Sequence, residues 1–165
     1  MNDFDALVAL AAACGTRLAA RRETLAVSES SAGGLISAAL VAVPGASAFY
    51  VGGGVIYTPK SRAVLAAIAK EELTGMRSAS EAYARLLASR TRERLGTSWG
   101  LAETGASGPS GNRYGDAPGH ACLAVAGPTS AALTLETGSA ERSANMFAFA
   151  RRALSLLDEQ LRAAG

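Results

Sequence analysis

The chain has 165 residues and a formal net charge of +2, and 49% of its residues are hydrophobic while only 5% are aromatic. This length and apolar content suffice for one domain with a buried core. The small net charge provides no strong electrostatic attraction for nucleic acid or for an anionic membrane. We therefore expect a single domain over residues 1–165 that binds neither.

The cysteines and the amino-terminal residues indicate a reduced, cytoplasmic protein. Cys14 and Cys122 are too few for a disulfide framework and have no metal-ligand spacing. The first ten residues, MNDFDALVAL, contain two acidic residues and no basic segment, so they do not resemble a signal peptide. No uninterrupted run of about 18 apolar residues occurs, so we expect no membrane-spanning helix.

In the first half of the chain, hydrophobic periodicity and chain-breaking residues define six predicted elements. Apolar residues recur at intervals of three and four from Phe4 to Leu18, which is typical of an amphipathic helix, and Asn2 or Asp3 can cap it. Pro59 fits the first turn of a later helix, where proline is tolerated. In chain order the predicted elements are a helix over 4–18, a strand over 24–28, a turn over 29–34, an apolar helix over 35–43, a strand over 51–57 and a helix over 60–68.

The second half continues this alternation and ends with a strand pair before the last helix. Ser78 followed by Glu81 matches a capping box, which predicts a helix that begins there and ends at Leu95. The predicted elements that follow are a strand over 99–104, a loop over 105–119, two strands over 122–127 and 132–137, and a helix over 142–161. This order indicates an α/β fold in which a mixed sheet has helices on its faces.

The segment Ser-Glu-Ser-Ser-Ala-Gly-Gly at 28–34 lies between a predicted strand and a predicted helix. Such a junction presents serine hydroxyls beside main-chain N–H groups at a helix start, where negative charge is favoured. The glycines allow a ligand to approach the main chain closely. The segment therefore suits an attacking serine with an oxyanion hole, or a bound phosphate. Because Ser and Gly are also ordinary turn residues, a plain helix cap with a flexible turn is the alternative.

A second candidate segment is the long loop at 104–116, which also follows a predicted strand. Long loops without periodicity in compact domains are commonly functional, and strand-end loops of α/β folds build the ligand crevice. Arg113, Tyr114 and Asp116 can contact a ligand there, with a solvated Asx turn as the alternative. His120 is the only histidine and opens a predicted strand, so we expect a structural role for it rather than a place in a Ser-His-Asp triad.

Three segments, taken in order, resemble the carboxy-terminal domain of the CinA family. They are TLAVSESSAGGLISAALVAVPGASAFYVGGGVIY, SASEAYARLLASRTRERLG and TGASGPSG; the family has ESCTGG, a run like VPGSSAxFxGGxVxYSNEAK, GAVSE and TGIAGPDGG. The resemblance extends from about Thr24 to Leu157 with similar spacing. It implies a three-layer α/β/α fold, self-association into a homo-oligomer, and no metal or organic cofactor. It also implies the family's best-known reaction, hydrolysis of the amide of nicotinamide mononucleotide.

The resemblance also implies roles for particular residues of this chain. Ser30 corresponds to the family's presumed nucleophile, and Tyr57 to a tyrosine that acts with a lysine in proton transfer. In the corresponding mechanism, N–H groups near Gly33 and Gly34 hold the oxyanion, and Arg142 can meet a phosphate. The substrate-binding residues that we predict are Ser31, Gly33, Gly34, Arg62, Thr104, Gly105, Ser107, Gly108, Arg113 and Arg142.

The chain departs from the family pattern at several polar and charged positions. Arg62 stands where the family has its lysine, and a guanidinium stays protonated, so Arg62 cannot accept a proton from serine. Lys60 lies two residues earlier, roughly 200° away around a helix, and is the remaining candidate to transfer protons together with Tyr57. The family's aspartate in GPDGG is Ser110 here, and Asp116 aligns with the lysine that follows in the family.

These departures leave two classes of function open. The first is an amidohydrolase that uses a serine nucleophile on a nucleotide-like substrate. The second is a divergent, non-catalytic domain of the same fold that binds a nucleotide or mediates oligomeric interactions. Turnover that depends on the serine discriminates the first class from the second.

Overall fold

A five-stranded sheet forms the middle layer of the protein, and helices cover both of its faces. The computed structural model describes residues 2–165. The helices are α1 (Asp3–Arg21), α2 (Leu35–Val41), α3 (Pro59–Leu65), α4 (Glu81–Leu95) and α5 (Arg142–Ala163). The strands are β1 (Leu25–Glu29), β2 (Tyr50–Val55), β3 (Trp99–Ala106), β4 (His120–Ala126) and β5 (Ala131–Glu136). Short 3₁₀ helices occupy Ala46–Ala48 and Lys70–Leu73. The predicted three-layer α/β fold with a mixed sheet is confirmed.

The order of the strands across the sheet brings three connections to one edge. The order is β2-β1-β3-β4-β5, with β1 parallel to both β2 and β3 and with β4 antiparallel to its two neighbours. Because β1, β2 and β3 run in the same direction, their carboxyl ends lie at the same edge of the sheet. The segments that follow these three strands therefore meet there, as in other open α/β sheets.

Each face of the sheet has its own hydrophobic core. Successive residues of a strand point to opposite faces, so Leu101 packs with α1, α2 and α5 whereas Ala102 packs with α4. The core on the first face includes the fully buried Trp99 and Phe149. The core on the second face is smaller and includes Tyr83 of α4.

The helix caps agree with the sequence pattern at α1 and differ from it at α4. Asn2 caps α1 in a capping box, as predicted. The predicted capping box of Ser78 and Glu81 is wrong, because Ser80 is the cap and its hydroxyl accepts a hydrogen bond from the main-chain N–H of Tyr83 at 3.2 Å. A capping residue directly precedes the first helical residue, and Ser78 lies two positions too early for this role.

Both β2 and α3 end earlier than the sequence predicts. β2 ends at Val55, so Tyr57 lies beyond the strand in the segment that leads into α3. α3 ends before residue 68, because Ala67 has a φ of 50° and the N–H of Ile68 turns back to the carbonyl of Arg62 at 3.3 Å. This geometry leaves Tyr57 and Arg62 on one short segment at the carboxyl edge of the sheet.

His120 has the structural role that the sequence predicts. One ring nitrogen bonds the carboxylate of Glu136 and the other bonds the carbonyl of Ala79 at 2.8 Å. Burial opposes charge on the ring, but the bonds to Glu136 and Ala79, together with the nearby Asp116 carboxylate, raise the pKa of His120. The histidine thereby connects β4 and β5 to the segment before α4.

The glycines of β2 provide a test of how closely this strand approaches its neighbour. A Cβ at Gly53 would lie 2.0 Å from the carbonyl oxygen of Val27, whereas a Cβ at Gly54 would meet nothing closer than 3.6 Å. We expect Gly53→Ala to lower the free energy of unfolding by about 1–3 kcal/mol, since overpacking forces strands apart. Gly54→Ala is the matched control. Urea denaturation measures both, and equal stability of the two variants would contradict the close approach of β2 to β1.

Candidate active site

Two buried glutamates lie side by side at the carboxyl ends of β1 and β3. Glu29 is the last residue of β1 and Glu103 lies near the end of β3, and both are fully buried. The alternation of the strands places them on the face that also carries Val27 and Leu101, under α1, α2 and α5. Buried carboxylates need partners, and the turn at 30–34 supplies most of them.

Glu29 fixes the start of α2. Its carboxylate accepts hydrogen bonds from the main-chain N–H groups of Gly34 at 3.1 Å, Ile36 at 2.9 Å and Ser37 at 2.9 Å. These are N–H groups that have no partner inside the helix. The negative charge also lies at the positive end of the helix dipole, so both effects stabilise the turn from strand to helix.

Glu103 holds the middle of the same turn from below. Its Oε2 accepts from the main-chain N–H of Ser30 at 2.9 Å and of Ala32 at 2.8 Å, and its Oε1 accepts a short hydrogen bond from the Ser31 hydroxyl. Burial raises the pKa of Glu103, and the charge of Glu29 acts in the same direction, while the three hydrogen bonds oppose the shift. The side chain is therefore more basic than an ordinary carboxylate.

These contacts use the main-chain groups that the sequence assigned to an oxyanion. The N–H of Gly33 donates to the carbonyl of Ser30 at 3.1 Å, and the N–H of Gly34 donates to Glu29. In this structure neither of these two N–H groups is free to hold an oxyanion, because both donors are already engaged. The glycines serve the turn itself, with φ values of 68° and 100° that favour glycine.

A cleft of about 370 Å³ opens beside this turn at the carboxyl edge of the sheet. We call it the large lobe. Its wall comes from the turn after β1, the segment between β2 and α3, the segment before α4, and the end of β3 with its loop. The predicted site residues that line the large lobe are Ser30, Tyr57, Arg62, Thr104, Gly105 and Arg113.

A second volume of about 220 Å³, the small lobe, adjoins the first. The two lobes share Tyr57, Gly105 and Asn112 in their walls, so they are neighbouring parts of one cleft. The predicted site residues that line the small lobe are Ser31, Tyr57, Gly105, Ser107, Gly108 and Arg142. The structure thus brings hydroxyl groups and guanidinium groups to a single cleft.

Lys60 is the predicted catalytic residue that the structure does not bring to the cleft. It is exposed and lines neither lobe, whereas Arg62 on the same helix lines the large lobe. Two helical positions separate the residues, and this turns their side chains in different directions. The Nε of Arg62 is buried and donates no hydrogen bond within residues 2–165.

Arg142, the first residue of α5, connects the two lobes. Its guanidinium donates to the carbonyl of Gly108 and to the hydroxyl of Tyr57, the latter at 2.9 Å. Because that hydroxyl accepts from Arg142, its own proton is free to point into the cleft. Tyr57 is 58% exposed, so this bond is what orients a side chain with few packing contacts.

Asn145 holds the loop after β3 in place, and the sequence analysis did not identify it. This buried side chain donates to the carbonyls of Ser107 and Ser139 at 2.8 Å each, and it accepts from the hydroxyl of Thr137 at 2.6 Å. All of its contacts come from other segments. The asparagine lies one turn after Arg142 on α5, so the same helix positions the loop and the arginine.

The outer part of the loop adopts the Asx turn that the sequence left as an alternative, and it lines the cleft as well. The side-chain oxygen of Asn112 accepts from the N–H groups of Tyr114 at 3.0 Å and Asp116 at 3.2 Å. Asp116 forms an ion pair with Arg77, and hydrogen bonding to Arg77 and Asn112 lowers its pKa despite partial desolvation. Arg113 extends beside the Tyr114 ring, at 5.1 Å from its centre.

The roles of Glu29 and Glu103 are the main features of the site that the sequence analysis missed. A signal for them was present, since each glutamate ends or interrupts an apolar strand, in LAVSE and in WGLAET. Glutamate is almost never fully buried unless it is paired. Charged residues in such strands therefore indicate a specific set of hydrogen-bond partners.

Within residues 2–165, no three His, Cys, Asp or Glu side chains lie close enough together to hold a metal ion. None of the helices in these residues has the length and hydropathy needed to cross a membrane. The polar side chains that line the cleft carry hydroxyl, guanidinium and amide groups.

Comparison with solved structures shows the same fold in proteins from Klebsiella pneumoniae and Agrobacterium tumefaciens. A competence-damaged protein (CinA) superfamily protein from Klebsiella pneumoniae superposes with a TM-score of 0.88 at 24% identity, covering 99% of each chain. The competence/damage inducible protein CihA from Agrobacterium tumefaciens superposes with a TM-score of 0.87 at 26% identity, covering 98% of this chain and 97% of the other. The first of these likenesses concerns the fold alone.

Comparison of sequences identifies the family. A CinA-like protein from Anaeromyxobacter sp. is 39% identical over 148 residues, which cover 88% of this chain and 36% of the relative. Another, from Cyanothece sp., is 38% identical over 119 residues, which cover 72% of this chain and 28% of the relative. The chain thus spans about a third of the length of these relatives. The model of the CinA C-terminal domain matches residues 7–161, and the chain therefore belongs to the CinA family.

Proposed function

We propose that this protein hydrolyses the carboxamide of a mononucleotide, with nicotinamide mononucleotide as the first candidate substrate. The products are the corresponding carboxylate and ammonia. The observation that carries the proposal is the cleft itself, in which the serines of the turn at 30–34 lie beside three arginines. A serine hydroxyl is a nucleophile for an amide carbonyl, and guanidinium groups bind phosphate.

In this proposal the two lobes bind different parts of the substrate, the large lobe its phosphate and the small lobe its carboxamide. Arg62 and Arg113 line the large lobe and supply positive charge for a phosphate. The carboxamide then occupies the small lobe, beside Ser31 and the Tyr57 hydroxyl, which Arg142 holds in place.

A specific observation also favours a second candidate, a nucleotide-binding domain without catalysis. The lysine of the family pattern is replaced by Arg62, and Lys60 lies outside the cleft. A cleft without a base binds the nucleotide and leaves its amide intact. The two candidates differ in one measurable quantity, which is the ammonia released from the bound ligand.

The first prediction about the function is that the purified protein releases ammonia from nicotinamide mononucleotide. The double variant Ser30→Ala, Ser31→Ala removes both hydroxyls of the turn, so we expect it to release no more ammonia than buffer. It should still unfold cooperatively, at a lower temperature than the wild type, because the buried Glu103 loses the hydrogen bond from Ser31. An enzymatic ammonia assay measures the reaction. If the nucleotide raises the melting temperature of the wild-type protein but no ammonia is released, the binding function is supported and hydrolysis is excluded. If the nucleotide is neither hydrolysed nor bound, both candidate functions are contradicted.

The second prediction concerns phosphate recognition by Arg62. A hydrogen bond to a charged group contributes about 1.5–3 kcal/mol, so we expect Arg62→Gln to raise KM by roughly tenfold to a hundredfold. The matched control is Lys60→Gln on the same helix, which removes a charge outside the cleft and leaves KM within about twofold. Steady-state kinetics with nicotinamide mononucleotide measures both variants. An equal rise in KM for both would show a general charge effect rather than a phosphate contact.

A further inference from the structure

The two serines of the turn differ in their contacts with Glu103. The hydroxyl of Ser31 donates to Oε1 of this carboxylate. Ser30 reaches Glu103 only through its main-chain N–H, 2.9 Å from Oε2. A serine becomes a nucleophile when a base accepts its proton within hydrogen-bond distance. Ser31 meets this condition, and within residues 2–165 no base is hydrogen-bonded to the hydroxyl of Ser30.

We propose that Ser31 is the nucleophile of this protein and that Glu103 accepts its proton, in place of the lysine that the chain lacks. The inference rests on the proposed amide hydrolysis for its substrate. It assigns the chemistry to a serine and a glutamate for which the family pattern provides no catalytic role.

The position of Glu103 fits a base that acts from below the turn. Two main-chain N–H groups, of Ser30 and Ala32, hold its Oε2. This leaves Oε1 directed at the Ser31 hydroxyl, so the proton has a single acceptor in a fixed geometry. Because the carboxylate is fully buried, its pKa is raised and it binds a proton more readily than an exposed glutamate.

Ser31 also faces the space that a carboxamide needs. It is only 5% exposed, but it lines the small lobe together with Tyr57 and Arg142. The Tyr57 hydroxyl accepts from Arg142 and has its own proton to donate. It can therefore stabilise the oxyanion that forms when Ser31 attacks, a role that the engaged amides of Gly33 and Gly34 cannot fill.

Ser31 and Glu103 together account for every proton that moves in the reaction. The Ser31 oxygen bonds to the amide carbon, its proton moves to Glu103, and the carbonyl electron pair moves to oxygen. When the oxyanion collapses, the C–N bond breaks and the proton on Glu103 leaves with ammonia, which gives a serine ester. Water then attacks the ester, Glu103 takes a water proton, and the Ser31 oxygen regains it as the ester bond breaks. The net reaction consumes one amide and one water.

The third prediction tests the nucleophile without any assumption about the substrate. An alkyl fluorophosphonate forms an O–P bond with a reactive serine and expels fluoride. We expect labelling at Ser31, detected by peptide mass spectrometry. Labelling persists in Ser30→Ala and disappears in Ser31→Ala.

Each outcome of this experiment decides the assignment. Labelling of Ser30 instead, or no labelling of wild-type protein that melts cooperatively, would overturn it. If Ser31 is labelled while nicotinamide mononucleotide releases no ammonia, the proposed substrate fails and the catalytic pair stands.

The fourth prediction concerns Glu103→Gln. The glutamine oxygen can still accept from the N–H groups of Ser30 and Ala32, and its NH₂ group can donate to the Ser31 hydroxyl, so the turn is retained. Glutamine cannot accept a proton, and we expect kcat to fall by about a hundredfold or more. Fluorophosphonate labelling slows by a similar factor. A variant that melts near the wild-type temperature and keeps wild-type kcat would contradict the proposal.

The pH profile separates a base from a merely structural glutamate. Glu103 must be ionised to accept the proton, so kcat is low below its pKa and rises as the pH passes it. Since burial raises this pKa above the ordinary value of 4.5, we expect the rise of wild-type kcat to lie above pH 4.5. The residual activity of Glu103→Gln lacks this rise. An identical pH profile for both proteins would exclude Glu103 as the base.

Discussion

The burial of two neighbouring carboxylates under one turn is the constraint on which the rest of the site depends. An unpartnered buried charge costs several kcal/mol, so Glu29 and Glu103 require donors from the nearest chain segment. The turn at 30–34 and the start of α2 provide five main-chain N–H groups and the Ser31 hydroxyl. These bonds dictate where α2 begins and how the serines face the cleft. Loss of the side-chain oxygens of either glutamate would therefore affect the whole turn.

This use of the main chain decides which groups remain for a ligand. In many α/β proteins the amides after a strand bind the anion directly, but here the carboxylates occupy those positions from inside the protein. In the proposed function, an anion is therefore bound by side chains on other segments, namely Arg62 and Arg113 in the large lobe and Arg142 beside the small lobe. The substitution of arginine for the family's lysine agrees with this arrangement, since a permanent charge suits anion binding better than proton transfer.

Much of the fold and part of the site could be predicted from the sequence. Periodicity located the helices and strands, and the parallel order of β1, β2 and β3 explains why Ser30, Tyr57 and Thr104, which follow or end these strands, share one cleft. Helix geometry already separated Lys60 from Arg62. The partnership of Glu103 with the turn could not be predicted, because the two segments are about 70 residues apart and only the pairing of β1 with β3 brings them together. The same applies to Asn145, whose partners come from two other loops.

The buried carboxylates offer an alternative base to the lysine that the family has and this chain lacks. A base in the cleft, such as lysine, must lose its own proton in the presence of other cations, and three arginines there would favour that loss. A carboxylate beneath the turn must likewise be ionised to act as a base, and because burial raises its pKa it then accepts a proton more readily than an exposed glutamate does. In the proposed mechanism the proton moves between Ser31 and Glu103 without passing through solvent. The cleft would then bind the substrate while the interior of the protein supplies the base, so an arginine at position 62 is compatible with the proposed catalysis.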